Sequence, residues 1–139
     1  MKVAIIGGGV IGSGWAARFL LHGFDVSFFD PAPATRDKLT VVLDNARHSL
    51  ADLYDLAPPA EGSLTPCPDI PSAVADANWV QESVPEQLDL KRTTLTKIEA
   101  HAKADAIIAS STSGFTPGDL GRNLAHPGRF IVCHPFNPV

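Results

Sequence analysis

Three glycines near the N-terminus, Gly7, Gly9 and Gly12, have the spacing Gly-x-Gly-x-x-Gly. They follow the apolar run Val3–Ile6 and open a helical pattern, and Asp30 ends the next apolar run. Gly7 allows a sharp turn off a strand, Gly9 lets a diphosphate approach the backbone, and Gly12 lets the helix pack close to the sheet. A strand, a glycine turn, a helix and a following acid together predict a dinucleotide site.

The start of the predicted helix and Asp30 are expected to bind different parts of the dinucleotide. Backbone N–H groups of Val10 and Ile11 would point at the diphosphate, where the helix dipole favours negative charge. Asp30 would accept hydrogen bonds from the adenosine ribose hydroxyls and repel a 2′-phosphate, which favours NAD over NADP. Arg36 leaves NADP open, and a turn acid before Pro31 is the alternative interpretation of Asp30.

A histidine near the other end of the chain is the strongest candidate for chemistry. His134 follows the apolar run Phe130–Cys133. An imidazole can take a proton from an alcohol while hydride leaves the same carbon. The hydroxyl-rich segment Ser110–Ser113 follows the preceding apolar run and could bind the substrate. The alternatives are a structural histidine and a solvated loop or helix cap.

Short apolar runs alternate with helical patterns, which predicts a doubly wound, mainly parallel, six-stranded α/β sheet. The predicted strands are Val3–Ile6, Asp25–Phe29, Leu64–Cys67, Trp79–Gln81, Ala106–Ala109 and Phe130–Cys133. The predicted helices are Val10–Leu21, Ala34–Leu56 and Glu86–His101. Pro66 confines the third strand to an edge, within an irregular connection over residues 57–71.

Helical spacing also predicts which side of each helix is buried. The first helix carries its large apolar residues near one face or its border, at Ile11, Trp15 and Phe19. The second is expected to bury Leu39, Val42 and Ala46, followed by Leu50, Leu53 and Leu56. The last is expected to bury Leu88, Leu95, Ile98 and Ala102, and to expose Lys91, Arg92, Lys97 and Glu99.

Ligands of such sheets bind outside the carboxyl ends of the strands. Polar residues follow every predicted strand except the third. They are the glycine turn, Asp30, the segment from Gln81 and Glu82 to Glu86, Ser110–Ser113, and His134 with Asn137. We therefore expect these residues to meet in one site.

The composition favours a small-molecule partner. The chain has 139 residues, 45% of them hydrophobic, which suits one domain with a real core. The net charge of −4 and the lack of a Lys/Arg cluster argue against nucleic acid, and the first apolar run is too short for a signal peptide or a membrane span. Cys67 and Cys133 lack metal-ligand spacing and are expected to be reduced, as in a cytoplasmic protein without a metal site.

Four motifs in this order resemble the 3-hydroxyacyl-CoA dehydrogenase family, over essentially the whole chain. They are GGGVIGSGWA at Gly7–Ala16, VQESVPE at Val80–Glu86, ASSTS at Ala109–Ser113 and CHPFNP at Cys133–Pro138. The resemblance implies a Rossmann NAD-binding domain over residues 1–139. The residues of these motifs are most similar to those of the branch that oxidises free 3-hydroxy acids, such as L-carnitine and L-gulonate. A CoA thioester is the alternative substrate.

The resemblance also implies roles for individual residues. His134 matches the base in alcohol oxidation, and Ser113 matches the residue that holds the substrate's 3-oxygen. Asn137 falls in the motif that orders the active site. Glu86 and Lys91 match positions near the nicotinamide ribose.

The family pairs its histidine with a glutamate about a dozen residues further on, which would lie beyond Val139. Its second, helical domain, which completes the substrate pocket and forms the homodimer, is also absent from this chain. Because the last predicted strand lies close to Val139, we expect a chain truncated from a longer dehydrogenase that binds NAD but has little activity alone. A non-catalytic NAD-binding module, either a redox sensor or a structural protein, is the alternative.

Overall fold

The computed structural model describes residues 1–53 and 59–136. Its strands are β1 (Lys2–Ile6), β2 (Asp25–Phe29), β3 (Leu64–Pro66), β4 (Trp79–Glu82), β5 (Ile107–Ser110) and β6 (Phe130–Val132). Its helices are α1 (Val10–Leu21), α2 (Thr35–Leu53), α3 (Ile70–Val74), α4 (Leu88–His101) and α5 (Pro117–Leu120), with 3-10 turns at Gly121–Asn123 and Pro127–Arg129.

The strands described here form one six-stranded sheet in the order β3-β2-β1-β4-β5-β6, and every pair is parallel. The predicted doubly wound α/β fold is confirmed. Chain order reverses between β1 and β4, which opens a crevice at their carboxyl ends. Each predicted strand lies within one residue of the observed bounds at both ends.

Apolar residues of β1 face both sides of the sheet and begin its two cores. Val3 and Ile5 pack with α1 and α2, while Ala4 and Ile6 pack with α3, α4 and α5. All four side chains are buried. A strand covered on both faces reads as a continuous apolar run, which is why β1 could be predicted from the sequence.

The fully buried residues of α1 are mostly small, including Gly12 and Ala16, and they are joined near its C-terminal end by Leu20 and Leu21. Trp15 and Phe19, predicted near one face or its border, are half-buried. Small side chains let the helix approach the sheet, so the aromatic rings lie at its border. There Trp15 stacks on Phe19, with ring centroids 5.6 Å apart, and Phe19 lies 6.4 Å from Trp79 of β4.

The predicted exposed side of α4 is wrong at one position. Lys91 is 1% exposed, whereas Lys97 is exposed and Arg92 is half-buried. Glu99 is also half-buried, because its carboxylate accepts hydrogen bonds from the backbone of residues 125 and 126. Helical spacing alone reads a lysine as solvent-facing, and it could not reveal the buried partner described below.

Strand β3 lies at an edge of the sheet, as its proline predicted. The Cys67 N–H donates to the Phe28 carbonyl of β2 at 2.8 Å, so by alternation Pro66 faces away from β2. Helix α3, which sequence reasoning missed, begins four residues later. Asp69 caps it by accepting a hydrogen bond from the Ser72 N–H at 2.8 Å.

Part of the predicted second helix lies outside the described residues. Helix α2 buries Leu39 and also Leu43, which the prediction omitted. The predicted end at Leu56 falls outside the described residues. None of the helices in the described ranges combines the length and the hydropathy of a transmembrane span.

Candidate active site

A cavity of about 720 Å³ lies at the carboxyl ends of the parallel strands. Nine residues predicted to bind cofactor or substrate line it: Gly7, Gly9, Val10, Ile11, Asp30, Glu86, Lys91, Ser113 and His134. Gly12 lies beneath the glycine turn instead. Asn137 is outside the described residues. These nine residues thus meet at one rim, as expected, whereas Gln81 and Glu82, which were also expected there, are fully buried and do not line the cavity.

The glycine turn is shaped by space as well as by backbone conformation. Gly7 has φ of +98°, and a Cβ there would lie 2.7 Å from the backbone of Ser83. A Cβ on Gly12 would lie 1.8 Å from the Gly7 carbonyl oxygen. A Cβ on Gly9 would meet nothing within 4 Å. Gly7 and Gly12 are therefore required by the fold, while Gly9 borders open space in the cavity.

The start of α1 is suited to an anion. Its N-cap is Gly9, which provides no side-chain hydrogen bond. The first N–H groups of an α-helix have no partner within the helix, and here Val10 and Ile11 line the cavity. A diphosphate of a dinucleotide would satisfy these donors in the open space beside Gly9. The residues at this end of the cavity thus fit the cofactor that the sequence predicts.

Asp30 has the geometry of a turn acid and can also bind the adenosine ribose, so both interpretations of this residue are compatible with the structure. One carboxylate oxygen accepts the Gly8 N–H at 2.6 Å, and the other accepts the Ala32 N–H at 2.7 Å. Asp30 is thus a turn acid that ties β2 to the glycine turn. Each oxygen keeps a further acceptor site for a ribose hydroxyl. Arg36 shares a neighbouring depression of about 300 Å³ with Asp30, so it lies close to the predicted adenosine position.

A buried ion pair supports the floor of the cavity. Lys91 Nζ lies 2.9 Å from Glu82 Oε1, and the two side chains are 1% and 0% exposed. Lys91 also donates to the Val84 carbonyl at 3.1 Å, and Ser110 Oγ donates to the other Glu82 oxygen. The charges are therefore paired and hydrogen-bonded, as burial requires. Lys91 connects α4 to the loop after β4.

Glu86 holds the segment that carries Ser113. Its Oε1 atom accepts hydrogen bonds from Thr112 Oγ1 at 2.6 Å, from the Ser113 N–H at 3.0 Å and from the Gly114 N–H at 2.9 Å. Its Oε2 atom lies 3.4 Å from Lys91 Nζ. Partial burial acts to raise the pKa of Glu86, but the hydrogen bonds from Thr112, Gly114 and Ser113 and the charge of Lys91 hold the pKa below its ordinary value.

Gln81 and Ser111, both expected at the rim, belong to a second polar network whose hydrogen bonds were not predicted from the sequence. Gln81 is completely buried and donates through Nε2 to Ser111 Oγ at 2.8 Å. Ser111 Oγ also accepts the Trp15 Nε1–H at 3.2 Å and lies 2.8 Å from Ser83 Oγ. The signal that could have revealed it is a glutamine within a strand covered on both faces, since a buried amide needs partners.

The backbone before His134 is anchored on both sides. The Cys133 N–H donates to the Ser110 carbonyl at 2.9 Å, and the Cys133 carbonyl accepts from Gln81 Nε2 at 3.3 Å. Burial raises the pKa of the Cys133 thiol. The His134 ring itself is exposed and lies edge-on to Phe136, with centroids 6.2 Å apart. Within residues 1–53 and 59–136, no carboxylate hydrogen-bonds to this imidazole.

Residues 2–139 match the family described as 3-hydroxyacyl-CoA dehydrogenase, NAD binding domain. The chain belongs to this family. The resemblance inferred from the four motifs is therefore confirmed, and so is NAD as the cofactor.

Two bacterial relatives of this chain are named for a specific substrate, L-carnitine. An L-carnitine dehydrogenase/betainyl-CoA thioesterase of Ruegeria pomeroyi is 54% identical over 136 residues, which is 98% of this chain and 28% of the relative. An L-carnitine dehydrogenase of Mesorhizobium japonicum is 52% identical over 139 residues, which is 99% of this chain and 38% of the relative. The chain thus spans well under half the length of these relatives.

A solved structure of similar fold is described as 5-formyl-3-hydroxy-2-methylpyridine 4-carboxylic acid 5-dehydrogenase, an NAD⁺-dependent dismutase. Its sequence is 34% identical to this family member, with a TM-score of 0.88. The match covers 99% of this chain and 45% of the solved chain.

Proposed function

We propose that residues 1–139 are the NAD-binding domain of a longer, two-domain dehydrogenase that oxidises a secondary 3-hydroxyl group to a 3-keto group. The observation that carries this proposal is the single cavity lined by the glycine turn, Asp30, Ser113 and His134. The glycine turn and Asp30 suit a dinucleotide. Ser113 and His134 add a hydroxyl and an imidazole, which are not needed to bind a cofactor alone. The length of the relatives supports the second domain.

The chemistry divides between cofactor and side chains. NAD, when bound, supplies the nicotinamide ring that accepts a hydride from C3 of the substrate. His134 takes the proton of the 3-hydroxyl group as that hydride leaves, so the C–H and O–H bonds are replaced by a carbonyl. The Ser113 hydroxyl holds the 3-oxygen in place. Glu86 fixes the backbone of Ser113 and thereby positions its side chain.

A free 3-hydroxy acid of the carnitine type is the proposed substrate. The two relatives described above, both named for L-carnitine and 54% and 52% identical to this chain, support it. A 3-hydroxyacyl-CoA thioester is the alternative that the family name suggests. Initial rates of NADH formation with L-carnitine and with 3-hydroxybutyryl-CoA separate the two. The proposal for the free acid fails if only the thioester is oxidised.

The second domain would supply what His134 lacks among the described residues. We propose that a glutamate beyond Val139 orients the imidazole and stabilises its charged form, and that the helical domain forms the homodimer. The domain alone is then expected to bind NAD with little or no turnover. Turnover by the isolated domain at the rate of the two-domain protein would contradict this.

The decisive experiment replaces His134 in the two-domain protein. His134→Gln is expected to abolish NADH formation while the NAD dissociation constant changes by less than about threefold, because the imidazole acts on the substrate proton. His101→Gln, at the exposed end of α4, is the matched control and should retain full activity. Unchanged turnover in His134→Gln would remove His134 from the mechanism. NAD binding without oxidation of any 3-hydroxy compound would indicate the non-catalytic module.

A further inference from the structure

The Ser111 hydroxyl has both of its acceptor sites filled. The indole N–H of Trp15 lies 3.2 Å from Ser111 Oγ, and Nε2 of Gln81 lies 2.8 Å from it. An indole nitrogen can only donate. A serine oxygen accepts two hydrogen bonds and donates one. If Gln81 also donates here, the Ser111 proton must go to a third group.

The orientation of the Gln81 amide is fixed from both ends. The Trp79 indole N–H, which can only donate, lies 3.1 Å from Gln81 Oε1. The carbonyl oxygen of Cys133, which can only accept, lies 3.3 Å from Gln81 Nε2. Both neighbours place the amide oxygen toward Trp79 and the NH₂ group toward Ser111. Gln81 is therefore a donor to Ser111.

The proton of Ser111 is consequently directed at Ser83. Their hydroxyl oxygens lie 2.8 Å apart, and geometry alone leaves the donor open. With two donors already on Ser111, Ser83 must accept and Ser111 must donate. Ser111 is the only hydrogen-bond partner of the Ser83 hydroxyl among the described residues. Ser83 lines the cavity, so its own proton is available to a ligand there.

We propose that Ser83 is a cofactor-orienting residue whose hydroxyl donates a hydrogen bond to an acceptor oxygen on the nicotinamide-ribose half of NAD. Its backbone borders Gly7 of the diphosphate turn, and its hydroxyl contacts Ser111, two residues before Ser113. Ser83 thus lies between the diphosphate end of the cavity and the end with Ser113 and His134. This inference rests on the proposed use of NAD in this cavity.

These hydrogen bonds form a relay in which each group donates to the next, from Trp79 through Gln81 and Ser111 to Ser83. Trp15 adds the second donor that completes it. Because the Ser83 hydroxyl accepts a hydrogen bond from Ser111, its own proton is free to be donated to a ligand in the cavity. An acceptor oxygen of the ribose or of the carboxamide group fits that donor.

The first test measures binding by calorimetry with three probes: NAD, ADP-ribose and ADP. Ser83→Ala is expected to weaken NAD binding about 3- to 10-fold, the size of one hydrogen bond. ADP should bind equally to both proteins, because it lacks the nicotinamide half. Weakened ADP-ribose binding assigns the bond to the ribose, and unchanged ADP-ribose binding assigns it to the carboxamide. Ser63→Ala removes a hydroxyl at the opposite end of the sheet and should bind NAD normally.

The second test asks whether Trp15 acts through Ser83. Trp15→Phe removes one donor from Ser111 and keeps an aromatic ring against Phe19. It should weaken NAD binding about 2- to 3-fold in the wild-type background and not at all in Ser83→Ala. A purely structural role of Trp15 would weaken binding equally in both backgrounds, which would overturn the relay.

The outcomes separate this inference from the proposed function. Equal NAD affinity of the wild-type protein and Ser83→Ala, or an equal loss of ADP affinity, overturns the role of Ser83 alone. No NAD binding by the wild-type protein overturns both. Thermal unfolding of each variant, with a wild-type midpoint expected for Ser83→Ala, shows that any loss of affinity is local.

Discussion

Glu86 and Ser113 form a single unit, because Glu86 Oε1 accepts the backbone N–H of Ser113 at 3.0 Å. Lys91, 3.4 Å from the other carboxylate oxygen, ties this unit to the buried Glu82. The loop after β4 and the segment after β5 are thereby held together at the rim of the cavity. A residue expected near the cofactor thus determines where the residue expected at the substrate lies.

Glu86→Ala should loosen the segment that carries Ser113. The backbone amides of Ser113 and Gly114 lose their acceptor in this variant. Their hydrogen exchange should therefore accelerate about 10-fold or more, as expected for a loss of about one to two kcal/mol of local stability. Glu86→Gln keeps an acceptor oxygen and should show a smaller effect. Residue-resolved hydrogen exchange measures this directly. Unchanged protection in Glu86→Ala would show that the segment is held by other contacts.

Acidification should loosen the same segment. Because the folded-state pKa of Glu86 lies below its ordinary value, the contribution of the carboxylate to stability is complete above about pH 5 and is lost as the pH falls through the folded pKa. Amide exchange at Ser113, corrected for its intrinsic pH dependence, reports this locally. The matched variant is Glu86→Gln, which does not titrate and should show a flat profile. An equal response in both proteins would assign the acid effect elsewhere.

Lys91→Met should destabilise the domain strongly. It leaves the buried Glu82 carboxylate without its cation, a change that costs about 3 to 5 kcal/mol of unfolding free energy. Lys97→Met, on the exposed side of the same helix, should stay within about 0.5 kcal/mol of the wild-type protein. Urea unfolding gives both values. Similar stabilities for the two variants would contradict the importance of the buried pair.

Alanine at three glycines should separate folding from binding. Gly12→Ala places a methyl group against the Gly7 carbonyl and should lower the unfolding free energy by about 2 to 3 kcal/mol. Gly9→Ala has room in the fold and should keep near-normal stability, but its methyl group enters the cavity, so NAD affinity should fall at least about tenfold.

Gly128→Ala is the control for this pair, since its Cβ would also meet nothing within 4 Å and the residue lies outside the cavity. It should match the wild-type protein in both measurements. Urea unfolding and NAD calorimetry on all three variants complete the test. Full NAD affinity in Gly9→Ala would show that the diphosphate does not approach this turn.

The strands could be predicted because each buried strand leaves an apolar run in the sequence. The rule that ligands bind at carboxyl ends then gathered Asp30, Ser113 and His134 into one cavity. Helix α3 was missed because five residues make barely more than one turn, too few to show a helical period.

The hydrogen bonds inside the site could not be predicted, since their partners lie far apart in the chain or on different secondary-structure elements. Trp15 and Ser111 are separated by 96 positions. Lys91 and Glu82 are separated by only nine, but one lies on a helix and the other on a strand. Helical spacing therefore placed Lys91 in solvent. Only the assembled sheet shows that these groups satisfy one another.

Pro66 also governs how this sheet can grow. A proline has no N–H group, and in β3 that missing donor falls on the side away from β2. A neighbouring molecule that tried to add a strand there would leave one of its carbonyls without a partner. Self-association through that margin is therefore disfavoured, and any additional strand is expected alongside β6 at the opposite margin.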